Sequence, residues 1–444
     1  MDIETNKETT SGQNDELEVV EVELTGEKPK HRHRHKSSDG HKQEKSEHSH
    51  HSHHSHHSHH SHHSHHSHQH KSSESKSSKS KSSESKSSKR KRRSNKSGKL
   101  KLWQKLLIAA GSVLLSLVLI LTGTFLYLRY TGKSQFEKTS YSISAPENIP
   151  AQLYDDGNTI KYNGKTYKYK SDNVNILFMG IDDHGTEEEK AEIGGNNQAD
   201  VIILINVDFK ENKMTLVNIP RDIITEVNAY SPTGGYSGTE KLPIALSYSY
   251  GDSKHTSCIN TLDSVRKMFY NIPINSYLSL QVNGIATIND SIGGVDVKCP
   301  EDLAETSPNG ITMVKGESYH LEGDDATFFV MTRRKDTPDA NLLRNERQRI
   351  YLSSFIQKTI NLSKSDLSTP LRLYNEAEPY TCTNTSANKV TYLASELLGK
   401  GAIGTETISV PVTVTQVENH AENYIKEKEF YELFLDVFYE EVQE

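Results

Sequence analysis

The 444-residue chain has few of the residues that usually stabilise a folded protein: three cysteines, one tryptophan and only 33% hydrophobic residues. So few cysteines in so long a chain exclude a small domain held together by a disulfide framework. The sequence leaves open which two of Cys258, Cys299 and Cys382 form a pair, with one cysteine left over. Long apolar runs are also scarce, which excludes a transporter with several membrane spans.

Charge is distributed unevenly, and this excludes a single uniform domain. Residues 1–105 carry 22 basic and 14 acidic side chains, a net charge of +8, whereas residues 106–444 carry 30 and 45, a net charge of -15. Nineteen of the 23 histidines precede residue 71. Residues 1–30 are acidic, residues 48–70 repeat His-His-Ser and residues 71–88 repeat Ser and Lys. Such composition predicts a disordered tail over residues 1–105.

The histidine repeats of this tail have two interpretations. Dense imidazole pairs can bind Zn²⁺ or Ni²⁺ weakly, or the tail is a solvated low-complexity segment with incidental metal affinity. The basic side chains can contact nucleic acid non-specifically. No helix-turn-helix pattern is evident, so we expect no specific nucleic-acid recognition.

Residues 106–128 form an uncharged apolar stretch that is long enough to span a bilayer core of roughly 30 Å. The basic run KRKRR at residues 89–93 precedes it, and few basic residues follow it. By the positive-inside rule, the N-terminal tail is cytoplasmic and the C-terminal part is extracellular. The sequence therefore predicts a single-pass cell-membrane protein, with residues 129–172 as an extracellular stalk.

From residue 173 onwards, strand patterns alternate with helix patterns, which predicts one α/β domain with a layered, mixed sheet. Four polar residues lie where its first strands begin or end. Asp182 closes the first strand, Asp200 opens the second, and Arg221 and Asp222 follow the third. If these strands are antiparallel neighbours, the four side chains share one rim of the sheet. Carboxylates beside an arginine suit Mg²⁺ and a phosphate group.

A second basic cluster lies between residues 332 and 349. Arg344, Arg347 and Gln348 have the i, i+3 and i+4 spacing that places them on one helix face, and Arg333 lies just upstream. A charged helix face is often merely solvated. Here, however, the arginines are concentrated in a strongly acidic domain, which favours an anionic ligand.

At these residues the sequence resembles the LytR–CpsA–Psr (LCP) family. The segments NILFMGID, QADVIILINVDF, KMTLVNIPRD, KLPIALSYSYG and LEGDDATFFVMTRRK, followed by LLRNERQR, have the order and spacing typical of that family. The resemblance covers a motif core at residues 173–361 and implies that residues 173–444 form an LCP-like catalytic domain with α/β/α layers. One departure is Met331, where the family commonly has arginine.

The resemblance implies a phosphotransferase that moves a glycopolymer, such as teichoic acid or capsule, from a polyprenyl-pyrophosphate donor to a peptidoglycan acceptor. By motif, Asp182 and Asp200 would bind Mg²⁺. The implied catalytic residues are Arg221, Asp222, Arg333 and Arg344. The implied pyrophosphate-binding residues are Arg221, Lys241, Arg333, Arg344, Arg347 and Gln348. The alternatives are a non-catalytic lipid-pyrophosphate-binding scaffold and a transcriptional attenuator of cell-wall genes.

Overall fold

The structure is a computed structural model that describes residues 100–138, 142–182, 197–231, 233–333, 340–400, 403–417 and 420–443. Residues 95–444 form one compact unit. The predicted disordered tail, with its histidine repeats and basic run, therefore lies almost entirely outside the described residues.

The first helix, α1 (Leu102–Glu137), contains an apolar stretch that is long enough and hydrophobic enough to cross a membrane. No residue of that stretch is buried against the rest of the protein, as expected for a helix that lipid would surround. The helix extends well beyond the predicted span of 106–128. Its last turns pack against helix α8 (Ala387–Gly399) through an ion pair between Arg129 and Glu396 and a tilted aromatic contact between Phe136 and Tyr392.

The predicted stalk at residues 129–172 therefore differs from the structure. Residues 129–137 continue α1, and the residues after them form strands β1 (Gln152–Leu153), β2 (Thr159–Tyr162) and β3 (Lys165–Tyr169). These strands build an antiparallel sheet with the last strand, β16 (Tyr439–Val442). Because the partner of β3 is at the other end of the chain, local sequence patterns could not show that this segment belongs to the domain.

The central sheet has the strand order β12-β9-β4-β5-β6-β13 and contains both parallel and antiparallel pairs. Its members are β4 (Val174–Asp182), β5 (Gln198–Asp208), β6 (Lys213–Asn218), β9 (Ser276–Gln281), β12 (Thr381–Thr383) and β13 (Gly404–Ser409). Smaller antiparallel pairs are β7 (Ile224–Tyr230) with β8 (Tyr236–Pro243), β10 (Val295–Lys298) with β11 (Ser318–Leu321), and β14 (Val412–Val417) with β15 (His420–Ile425).

The other helices are α2 (Leu246–Ser249), α3 (His255–Met268), α4 (Ile285–Ser291), α5 (Asp324–Met331), α6 (Ala340–Ser365), α7 (Thr369–Ala377) and α9 (Glu427–Phe438). Side chains alternate between the two faces of the central sheet. Leu177 and Met179 of β4 pack in one core with residues of α3 and α9, whereas Ile176 and Phe178 face residues of α6 and α8. Helices thus cover both faces, and the predicted mixed-sheet α/β fold is confirmed.

Candidate active site

A β-bulge places Asp200 at the rim of the central sheet. Gly180 pairs with Val201 but Ile181 pairs with Ala199, so Asp200 is the extra residue on β5. Bulges of this kind redirect a side chain and are frequent beside functional sites. Asp182 lies at the end of β4 in register with Gln198, so both carboxylates lie near the same end of the strand pair.

Arg221 joins this rim from the third strand. Its guanidinium forms an ion pair with Asp200, donates to Gln198 Oε1 at 2.5 Å, and has its Nε 3.4 Å from Asp222 Oδ1. The chain reaches this position because β6 runs antiparallel to β5 and ends at Asn218, three residues before Arg221. The structure therefore brings together the four rim residues that the strand pattern grouped. Gln198, which holds one side of Arg221, was not among the candidates, because a polar residue at the start of a strand carries no particular signal.

Arg344 approaches the same rim from α6. Its side chain is only 3% exposed, and its Nη1 lies 3.6 Å from Asp200 Oδ2. Its Nε is buried and has no hydrogen-bond acceptor among the described residues. Such an unsatisfied buried donor is costly, and a ligand that accepts a hydrogen bond would remove the cost.

Burial and the neighbouring charges together set the pKa of Arg344. Burial, the largest cause, and the positive charges of Arg333 and Arg221 lower this pKa to about 10, while Asp182 and Asp222 act to raise it. The rim thus gathers three guanidinium groups and three carboxylates at the end of a poorly solvated site. A bound anion would reduce the repulsion among the arginines, and a cation bound to the carboxylates would balance the negative charge of that anion.

An apolar cleft of about 360 Å³ leads to this cluster. Its wall on the sheet side includes Ile176, Phe178 and Leu278, and its opposite wall includes Leu352 and Phe355 of α6. Asp182, Asp200 and Gln348 are among the few polar side chains that line it. The cleft can hold a hydrocarbon chain whose charged end lies beside the arginines.

The sequence pattern of strands could not separate cleft residues from core residues. Ile205, Val282 and Ile285 line the cleft, whereas the chemically similar Ile203 is buried in the adjacent core. All four are apolar residues in or near strands of the same sheet. Their difference depends on how far α6 and α7 stand away from the sheet, which no local pattern encodes.

The carboxylates fit Mg²⁺ in one specific way. The described residues contain no group of three or more His, Cys, Asp or Glu side chains that could hold a metal ion. Mg²⁺ commonly binds through one or two carboxylates and takes its other ligands from water and substrate phosphates. Asp182 and Asp200 therefore suit a Mg²⁺ ion that arrives with a phosphorylated substrate, and they do not suit a metal held by protein alone.

Arg347 and Gln348, one turn beyond Arg344, make different contacts. Arg347 is 1% exposed; it donates from Nε to Phe329 O at 2.6 Å and from its Nη atoms to Thr332 O and Glu301. Gln348 lines the cleft and donates from Nε2 to Val330 O at 3.1 Å. Both side chains donate hydrogen bonds to carbonyl groups at or just after the end of α5, and these bonds fix how α5 packs against α6.

The remaining candidates divide between the rim and more distant positions. Arg333 is exposed and lies close enough to Arg344 to lower its pKa. Lys241 is exposed on β8, in register with Glu226 of the β7–β8 hairpin, and among the described residues no hydrogen bond or ion pair joins it to the cluster. Met331 lines the apolar cleft. His184, two residues after Asp182, lies outside the described residues.

Comparisons with known proteins identify the family of this chain and several relatives. The sequence profile of the LytR_cpsA_psr family matches residues 130–435. Among curated relatives, the polyisoprenyl-teichoic acid–peptidoglycan teichoic acid transferase TagV of Bacillus subtilis is 29% identical over 236 residues, covering 51% of this chain and 55% of TagV. The transferase TagU of Bacillus anthracis is 32% identical over 194 residues, covering 44% of this chain and 55% of TagU. The chain thus spans about half the length of these relatives. The crystal structure of B. subtilis TagV is similar with a TM-score of 0.46 at 23% identity, covering 60% of this chain and 95% of that one.

Proposed function

The chain belongs to the LytR_cpsA_psr family, and from this premise we propose that it is a membrane-anchored glycopolymer–peptidoglycan phosphotransferase. Its donor is a glycopolymer linked to a polyprenyl pyrophosphate, and its acceptor is a hydroxyl group of peptidoglycan. The relatives TagV and TagU are named as polyisoprenyl-teichoic acid–peptidoglycan teichoic acid transferases, which supports the same class of donor and acceptor here.

One observation carries the proposal: the buried Arg344, with an unsatisfied Nε, lies 3.6 Å from Asp200, and Asp200 lines the polar end of an apolar cleft. An apolar cleft alone would suit many ligands, and an arginine cluster alone would suit many anions. Their combination suits an anion attached to a long hydrocarbon chain. A polyprenyl pyrophosphate has this structure, with the chain in the cleft and the pyrophosphate beside Arg344, Arg221 and Arg333.

In the proposed reaction, the acceptor hydroxyl oxygen forms a bond to the glycopolymer-linked phosphorus. The bond from this phosphorus to the bridging oxygen breaks, polyprenyl phosphate leaves with the electron pair, and the hydroxyl proton passes to water. Phosphoryl transfer requires mainly positioning and neutralisation of developing negative charge. Arg221 and Arg344 supply positive charge at fixed positions, because Asp200 and Gln198 hold Arg221 and burial holds Arg344.

Asp182 and Asp200 would hold Mg²⁺, which would supply charge neutralisation on the pyrophosphate oxygens. Asp222 would orient Arg221 through its contact with Nε. Arg347 and Gln348 would act as positioning residues, since their side chains bind carbonyl groups of residues 329–332. Lys241 would contribute to the pyrophosphate site only after the β7–β8 hairpin moved towards the donor.

The proposed topology places the N-terminal tail in the cytoplasm and the catalytic domain outside the cell. The basic run ahead of α1 supports this orientation. The apolar, exposed surface of α1 supports its role as the anchor. A lipid-linked donor would then reach the cleft from the same membrane that anchors the protein.

A transfer assay tests the proposal. The full-length protein in detergent micelles is mixed with a short-chain polyprenyl-pyrophosphate glycan, peptidoglycan fragments and Mg²⁺. We expect transfer that requires Mg²⁺ and that falls roughly 100-fold or more in Arg344→Met, a loss typical of removing a group that stabilises transition-state charge. Arg349→Met is the matched control, because Arg349 lies on the same helix and forms an ion pair with Glu346 instead of facing the cluster.

The same assay separates the alternatives. If the wild-type protein binds the donor but transfers nothing to peptidoglycan, it is a lipid-pyrophosphate-binding scaffold. If Arg344→Met and Arg349→Met transfer equally well, the arginine cluster is not the pyrophosphate site. Unchanged transfer by Asp200→Ala would contradict the assignment of Asp200 to Mg²⁺.

A further inference from the structure

Two of the three cysteines meet on the face of the central sheet opposite the apolar cleft. Cys258 is buried on α3, and Cys382 is half-buried on the edge strand β12. A second cavity, of about 430 Å³, is lined by Cys382 together with Ser279 and His255. Because side chains alternate along β9, Ser279 faces this cavity while its neighbours Leu278 and Leu280 face the cleft.

The contacts around the two sulfur atoms are short. Cys258 Sγ lies 3.4 Å from Ser279 Oγ and 4.0 Å from the backbone oxygen of Cys382. Ser279 pairs directly with Cys382 in the β9–β12 ladder, and its Oγ donates to the same backbone oxygen at 3.4 Å. Burial raises the pKa of Cys258 to about 12 and also raises the pKa of Cys382. The two thiols are close enough that each affects the pKa of the other.

Cys299 belongs to a different part of the protein. Its Sγ donates to the backbone oxygen of Glu301 at 3.0 Å, and the residue is buried in a separate core cluster with Val297 and Leu303. This separation removes the two pairings that involve Cys299 from the three that the sequence left open.

We propose that Cys258 and Cys382 are a disulfide pair that links helix α3 to the edge strand β12. On the proposed topology the pair faces the cell exterior, where disulfides persist. Only this location rests on the proposed function; the choice of Cys258 and Cys382 as partners follows from the geometry. The bond joins residues far apart in sequence, so it restricts the unfolded chain strongly.

The pair forms by thiol–disulfide exchange with an external disulfide, such as oxidised glutathione or a protein oxidoreductase. Cys382 is the more exposed thiol, and its Sγ lies 3.4 Å from His255 Nδ1, which accepts the thiol proton in the tautomer that carries the ring proton on Nε2. The Cys382 thiolate attacks the external disulfide, whose S–S bond breaks and releases one thiol. Cys258 Sγ then attacks Cys382 Sγ, the mixed S–S bond breaks, and the second external thiol leaves with the proton that Cys258 loses. Both protein thiols are oxidised, and the external disulfide is reduced to two thiols.

The bond would stabilise one wall of the apolar cleft. Strand β12 has only three residues and lies at the sheet edge, and Thr381 and Thr383 on either side of Cys382 line the cleft. Short edge strands open readily. A covalent link from Cys382 to α3 would hold this strand against β9, so amide hydrogen exchange at Thr381 and Thr383 should become slower in the oxidised protein.

A non-reducing peptide map tests the pairing without any assay of transfer. The full-length protein in micelles is incubated with oxidised glutathione, its remaining thiols are alkylated, and its peptides are identified by mass spectrometry. We expect one linked pair that contains Cys258 and Cys382, with Cys299 alkylated. The control Cys299→Ser should give the same link, whereas Cys258→Ser should retain glutathione on Cys382.

Three outcomes would overturn the pairing. They are alkylation of all three cysteines in the wild-type protein, a link that contains Cys299, and a stable glutathione adduct on Cys382 with no link to Cys258. Failure of the transfer assay would leave the peptide map unaffected, so the two proposals fail separately.

Discussion

Replacing Arg347 by methionine tests whether this arginine is a structural residue or a ligand of the substrate. Its guanidinium is buried and binds Glu301, Phe329 O and Thr332 O. Arg347→Met would leave the carboxylate of Glu301 buried without a counter-charge, at a cost of roughly 3–5 kcal/mol. The two carbonyl groups would also lose a donor, at roughly 1 kcal/mol each. We therefore expect the free energy of unfolding to fall by about 5 kcal/mol or more.

A double replacement separates the charge effect from the loss of the carbonyl contacts. Glu301→Leu combined with Arg347→Met removes both charges and keeps apolar volume at both positions. Replacing both partners of a buried ion pair is often nearly neutral, so the double variant should lose only about 2 kcal/mol, from the carbonyl contacts. Adding Glu301→Leu to Arg347→Met would then restore about 3 kcal/mol of stability.

Urea unfolding of the full-length protein in micelles, read by pulse proteolysis, measures these losses, and donor binding is measured on the same samples. We expect Arg347→Met to weaken folding and to leave the affinity of the remaining folded protein nearly unchanged. The reasoning fails if Arg347→Met unfolds within about 1 kcal/mol of wild type while it loses donor affinity as strongly as Arg344→Met does.

Three further predictions concern other parts of the structure. Gly132→Leu should detach the end of α1 from α8, because a Cβ at Gly132 would collide with the backbone of Asn388. Proteolysis between α1 and the domain should therefore become faster. A Cβ at Gly123 meets nothing within 4 Å, so the control Gly123→Leu should behave as wild type. Burial acts to raise the pKa of Asp208, but a backbone hydrogen bond and a neighbouring lysine lower it overall. Wild type should therefore be more stable than Asp208→Asn above about pH 4, and this difference should disappear at lower pH. Urea unfolding of both proteins across this pH range measures the difference. Leu278→Trp should fill part of the apolar cleft and weaken binding of long-chain polyprenyl pyrophosphates more than that of short-chain ones in a competition assay.

The central strands were predictable because their signal is local. The apolar run at residues 175–181 is typical of a buried strand, and residues 210–212 are turn-prone and lie between two further strand-like runs. These three runs appear in the structure as β4, β5 and β6. In that turn, Asp208 Oδ1 accepts the N–H groups of Lys210 and Glu211, and Asn212 adopts a positive φ of 53°. Side chains of this kind favour turns by themselves, so sequence analysis could place the hairpin.

The C-terminal elements show where local patterns fail. Residues 407–417 are rich in β-branched side chains, which is typical of one strand, but the structure divides them between β13, which joins the central sheet, and β14, which forms a separate hairpin. Residues 427–442 have an amphipathic helix pattern throughout, but the helix ends at Phe438, and residues 439–442 form β16 against β3. In both cases a distant strand supplies the hydrogen-bond partners, and no local periodicity encodes that choice.

Sequence patterns grouped several residues that the fold brings together, but they did not show what each side chain contacts. The spacing of Arg344 and Arg347 places both on one helix face, and both side chains are buried in the structure. It could not show that Glu301, 46 residues away, pairs with Arg347, while Arg344 lies beside Asp200 with an unsatisfied Nε. The division between a structural and a ligand-facing arginine depends on which acceptors the fold brings within reach.

Equilibrium binding of a lipid pyrophosphate tests the central claim most directly. The full-length protein in micelles is titrated, in the presence of Mg²⁺, with a short-chain polyprenyl pyrophosphate and separately with the corresponding polyprenol. The account predicts that the pyrophosphate binds much more tightly than the polyprenol and that Arg344→Met, but not Arg349→Met, removes most of this difference. Equal binding of the two lipids, or an unchanged preference in Arg344→Met, would contradict it.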